Sequence, residues 1–172
     1  TKNATSLSAY VLADRGHLDF KAPVAEYWPE FAQKGKENIL VSHIMSHSSG
    51  LAGWDAPVAG NDLYDPDKVA ALFETQEPWW EPGTAVGYHA ISVGNLMGEI
   101  IKRISGKTVG NFFKDEIAIP LDIDFHIGLE DKHHSRVAEI HQAVESNPED
   151  LFELEEGSVM QKVMTNGIIT AP

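Results

Sequence analysis

The chain has 172 residues, a formal charge of −13, 42% apolar residues and no cysteine. Length and apolar share fit one globular domain able to bury a core. The acidic balance argues against a nucleic-acid binder, which needs a basic face, and the missing cysteines exclude disulfides, thiol catalysis and cysteine-ligated zinc.

No apolar run reaches the ~18 residues of a membrane span. Thr1 is not a methionine, so the lack of a leader says little about compartment. The composition suits the cytoplasm, slightly favoured, or the periplasm; oligomeric state is not legible.

Ala4, Leu7, Val11 and Leu12 recur at helical spacing, with Gly16 as a C-terminal cap. Leu18 to Phe20 reads as extended, Pro23 to Tyr27 as one helical turn, and Ser42 to His47 as a short helix. Asp65-Pro66 is an N-cap followed by Pro at the first helical position, opening a helix with Val69, Leu72 and Phe73 on one side. Residues 77–83 are loop. A long amphipathic helix is predicted from Ala90 to Ser105, ended by Gly106, and Thr108 caps a further helix through Ile117. Phe125 to Leu129 and Val137 to Ile140 are predicted strands. From Glu145 to Glu156 six of twelve residues are acidic, which predicts a solvated connection. The apolar run 164–172 has no terminating signal, so both ends read as cuts through a larger domain.

Four segments in order carry a resemblance. They are Thr1-Lys2 opening a helix that runs to Asp14-Arg15-Gly16-His17-Leu18, Val41 to Leu51 with its ending His47-Ser48-Ser49-Gly50-Leu51, Glu81 to Ala90 with Pro82-Gly83 leading to Tyr88-His89-Ala90, and Gly94 to Pro120. Together they resemble the serine β-lactamase and penicillin-binding-protein superfamily, and most closely its carboxylesterases related to class C β-lactamases (family VIII type). The resemblance covers most of residues 1–130. It implies an α+β, β-lactamase/transpeptidase-like fold, of which residues 1–172 would be a partial domain, mainly helical with a short β region. The N-terminal strands, the nucleophilic serine and the C-terminal strands would lie outside it. The family motif Ser-x-Thr-Lys would put the serine two residues before Thr1.

What the resemblance implies chemically is acyl transfer by a serine that needs an adjacent base. A lysine three residues after that serine shares its helix face, so Lys2 would take or relay its proton. Tyr88 would be the second catalytic group, serving as a base when a nearby positive charge favours its phenolate. Where the lactamase pattern has Asn two residues after the tyrosine, this chain has Ala90, which favours a small-molecule carboxylic ester over a lactam amide. A β-lactamase, a D-Ala-D-Ala carboxypeptidase and a catalytically inert binding or scaffold protein are the alternatives. No cofactor and no metal are implied.

Other motifs have plainer readings. Lys107-Thr108-Val109-Gly110 mimics the family's Lys-Thr-Gly but reads as a helix cap; the true third motif is expected beyond Pro172. Trp54, Trp80 and His89 are candidate substrate-binding residues, although loop tryptophans also pack down on cores. His43 with His47, and His133, His134 and His141 with Glu139, are spaced for metal but read as structural or exposed.

Overall fold

A computed structural model describes residues 1–58, 60–139, 141 and 155–165. Its helices are α1 (Lys2–Asp14), α2 (Val41–Met45), α3 (Pro66–Thr75), α4 (Ser92–Ser105), α5 (Val109–Phe113) and α6 (Val159–Thr165). A wide π turn, Lys114–Ala118, continues α5.

The caps explain why these helices form where they do. The Asp65 carboxylate accepts the Lys68 N–H at 3.0 Å, and the Thr108 hydroxyl accepts that of Asn111 at 3.2 Å. Gly106 closes α4 in the left-handed conformation, φ 70°. The Lys-Thr-Val-Gly run is therefore a cap in the structure as well.

Helix α4 is the hub, packing on α1, α2, α3 and α5. Its stripe of Val93, Leu96, Met97, Ile100 and Ile101 is buried at a helical period. Against it lie Trp28, Phe31, Trp54 and Phe73, each fully buried or nearly so, which stabilises the fold by about 1.5–3 kcal/mol per side chain. The core also hides Lys36. Its ammonium donates to Glu74 O at 3.1 Å and Gln76 O at 2.6 Å, closing the end of α3, and burial lowers its pKa to about 8.

Two expectations fail on physical grounds. Leu7 is 44% exposed, because α1 meets its neighbours through small residues, Ala4, Ser8 and Ala9, and turns Leu7 and Tyr10 outward. The predicted strands are also absent among the described residues. Among the described residues the only strand-like pairing is an isolated bridge between Pro23 and Leu40. Residues 125–129 find no strand to pair with and dock on α5 instead, where Phe125 packs edge-on against Phe113 and the Ile127 carbonyl sits over Gly110. Asp131–Arg136 is a 3₁₀ turn and residues 137–139 are irregular. The acidic stretch 145–156 and the terminal run 164–172 lie mostly outside the described residues.

Candidate active site

Two backbone segments with little regular structure are zipped together beside the N-terminus of α1. Trp79 N donates to Gly50 O at 2.8 Å, Gly83 N to Ser48 O at 2.9 Å and Gly87 N to His47 O at 3.0 Å. The sequence permits this through its glycines. Gly50 has φ 80°, and a Cβ there would stand 2.7 Å from Trp80 O. Gly87 accommodates the Trp80 ring, which a Cβ would approach to 2.4 Å.

This zipper presents Tyr88, 59% exposed, to Lys2. The Lys2 ammonium stands 5.2 Å from the centre of the Tyr88 ring, a cation–π contact, and donates to Ala90 O at 2.6 Å. That bond occupies a carbonyl which a helix beginning at Ala90 would use, and α4 starts two residues later, at Ser92. Lys2 and Tyr88, far apart in sequence, are thus brought together. Beside them lies a cavity of about 240 Å³ between α1 and α4, with Lys2, His47, Ala90, Ile91, Val93 and Met97 in its lining.

Beneath Tyr88 lies a histidine network whose proton positions follow from its partners. His89 Nδ1 is 2.5 Å from Gly87 O, a pure acceptor, so Nδ1 carries the proton. Nε2 then accepts from the Ser49 hydroxyl at 2.8 Å, while Ser49 Oγ accepts the Leu51 N–H at 3.3 Å. Ser49 and His89 are both fully buried. Ser49 therefore has the partner of a nucleophile but no access for a substrate. Burial, opposed by the Gly87 bond and aided by His47, pushes His89 down to about 4.

In the sequence His47 stood out only within a motif and in its metal-like spacing from His43. Its Nδ1 accepts the His89 backbone N–H at 3.2 Å, and its ring packs on Tyr88 with centres 5.1 Å apart. It adopts φ 61°, which is uncommon for a residue with a Cβ. Its pKa is lowered by burial and then by Lys2.

The remaining candidates are placed otherwise. Trp54 sits in the core, 1% exposed, its indole N–H on Val69 O at 3.0 Å and its ring 5.0 Å from Phe73; a side chain so enclosed packs rather than binds substrate. Trp80 is half-buried and buttresses the loop, donating to Ser48 O at 3.3 Å. His89 is likewise enclosed, with both ring nitrogens used inside the chain. His43 accepts the Leu40 N–H at 3.3 Å. Among the described residues no three metal-ligating side chains converge, and no helix is long and apolar enough to cross a membrane.

The Beta-lactamase family model matches residues 1–161, and the chain belongs to that family. Esterase/beta-lactamase LipL of Mycobacterium tuberculosis is 38% identical over 136 residues, 74% of this chain and 30% of LipL. The crystal structure of a family VIII carboxylesterase superposes with a TM-score of 0.79 at 42% identity, covering 81% of this chain and 39% of that one. EstA of Arthrobacter nitroguajacolicus superposes at 0.85 with 32% identity, covering 96% and 44%. The chain thus spans about a third of the length of the curated relatives it matches. Its structural neighbours have β-lactamase and penicillin-binding-protein-like folds, and its relatives are named as hydrolases.

Proposed function

We propose that residues 1–172 belong to a serine hydrolase that cleaves carboxylic esters through an acyl-enzyme, with its nucleophile two residues before Thr1. The observation that carries this reading is the meeting of the Lys2 ammonium with the Tyr88 ring at the head of α1. A serine one turn before Lys2 shares its helix face. Its hydroxyl proton passes to the Lys2–Tyr88 pair as its oxygen bonds to the ester carbonyl. The carbonyl then re-forms as the alkoxide leaves and takes up that proton. Water, activated by the same pair, hydrolyses the acyl-serine.

Ester rather than lactam specificity is supported by Ala90, which offers no side-chain amide, and by the cavity beside it, which leaves room for a small acyl group. The relatives named as esterases agree. LipL's double name favours lactam hydrolysis as a secondary activity.

The test uses the protein with its serine in place. One fluorophosphonate adduct by intact mass and hydrolysis of p-nitrophenyl esters faster than nitrocefin are expected. Tyr88→Phe should lower kcat at least ~10²-fold, the low end for a positioned acid–base group, with the thermal midpoint unchanged. Near-normal turnover in that variant removes Tyr88 from the chemistry.

A further inference from the structure

We propose that His47 is the positioning residue of Tyr88 and works only while its ring is neutral, so that protonation of His47 disarms the site in mild acid. This rests on the reading of Tyr88 as the catalytic base. The peptide N–H groups on either side of Tyr88 both end on one residue: Gly87 N–H on the His47 carbonyl at 3.0 Å, and His89 N–H on His47 Nδ1 at 3.2 Å. The same imidazole packs on the Tyr88 ring. One side chain therefore fixes both the backbone turn and the ring it presents. The left-handed φ at His47 is what lets its carbonyl and its ring address the same turn, and such backbone is held in place only where its surroundings over-determine it.

The clamp depends on protonation because Nδ1 must accept. With one acceptor nitrogen committed to His89 N–H, the ring proton of neutral His47 sits on Nε2. A second proton on Nδ1 would turn that acceptor into a donor facing a donor, and the bond would be replaced by a repulsion. The groups around the ring make that proton unwelcome but not inaccessible. Lys2 of α1 faces it with a positive charge, and buried, neutral His89 lies 5.3 Å away. Exposed Tyr88 covers it on one side, and the residues of α4 that share its cavity are uncharged. Among the described residues no carboxylate lines that cavity to compensate an imidazolium. Partial solvent access leaves a route for the proton.

Fluorophosphonate labelling rate and ester kcat, followed from pH 4 to 9, separate the outcomes. His47→Asn keeps an acceptor near the position of Nδ1, tolerates left-handed backbone and does not titrate. It should hold kcat within about threefold at pH 8 and move the acid limb to lower pH. His47→Ala removes the acceptor and should lower kcat by about 10²-fold at pH 8, with KM changed less than threefold, as for a misplaced group, the gap to the parent closing in mild acid where the parent's own His47 is protonated. Thermal midpoints identify any variant that has lost its fold, and His47→Asn serves as the reading should His47→Ala fail to fold. An acid limb in His47→Asn identical to the parent's overturns the proposal, as does undiminished kcat in a folded His47→Ala. An active Tyr88→Phe, or a chain the probe never labels, overturns the catalytic reading and this proposal with it. An inert Tyr88→Phe beside a fully active His47→Ala overturns the clamp alone.

Discussion

Two regions of this chain lack α-helices and strands over comparable lengths, and they are built in opposite ways. The paired segments 47–51 and 78–90 are tied by backbone bonds, with Ser49, His89 and Leu51 fully buried. Residues 121–139 lie on the surface. Their side chains are joined by exposed ion pairs, Asp124 with Arg136 and Glu130 with Lys114 and Lys132. The difference teaches that irregular backbone holds a fixed geometry when its polar groups are satisfied inside the protein. Ion pairs at the surface, where water and salt compete, position much less.

The largest effect is expected at Gly50. An added Cβ meets both Trp80 O at 2.7 Å and Pro78 Cβ at 2.8 Å, in a conformation that disfavours any side chain. Left-handed strain of about 1–2 kcal/mol and overpacking of about 1–3 kcal/mol should together make Gly50→Ala cost roughly 2–5 kcal/mol. Urea unfolding checks this, and a neutral outcome would mean that the zipper is as loose as the surface stretch.

Next comes pH. His89 titrates near 4 when folded and near 6.5 when unfolded. Above pH ~6.5 both states are neutral and the protein keeps its full stability. As pH falls toward ~4 only the unfolded chain gains the proton, so about 3 kcal/mol is lost across that window, from about 2.5 pKa units at 1.36 kcal/mol each. Urea midpoints at pH 7 and 4.5 should show this fall. The His89 contribution should disappear in His89→Gln, whose side chain does not titrate. An unchanged slope in that variant would place the titrating group elsewhere.

The same contrast explains what was legible beforehand. Asp65-Pro66, Thr108 and Gly106 act within one helical turn, so sequence alone places those caps. The strand expected at 125–129 was read just as locally, but a strand exists only with a partner. Here Phe125 met Phe113 first. In the site, the Thr1-Lys2 and Tyr88 motifs could be matched to a family in order. Which tryptophan faces inward could not be read, since Trp54 and Trp80 carry the same chemistry and differ only in what surrounds them. His47 was named in a motif and in a metal-like spacing, but its contacts were not legible for a deeper reason: they involve a carbonyl, a ring nitrogen and a positive φ, none of which has a sequence signature.

The smallest effect belongs to Asp124, and it is the sharpest check on the comparison. Arg136 first, and then His126, hold its carboxyl at about 2 by hydrogen bonding. Since the folded value lies below the unfolded ~3.9, the contribution is complete above pH ~4 and is lost as pH falls toward 2. Yet the carboxylate is exposed, so screening leaves little of it for global stability. Asp124→Asn should therefore leave the urea midpoint unchanged while making residues 121–136 easier to cleave in limited proteolysis. Ester turnover should also stay unchanged, because the Lys2–Tyr88 contact is made by α1 and the 78–90 loop. A global loss comparable to that of Gly50→Ala would show that the surface stretch bears on the core after all, and the two regions would then differ only in appearance.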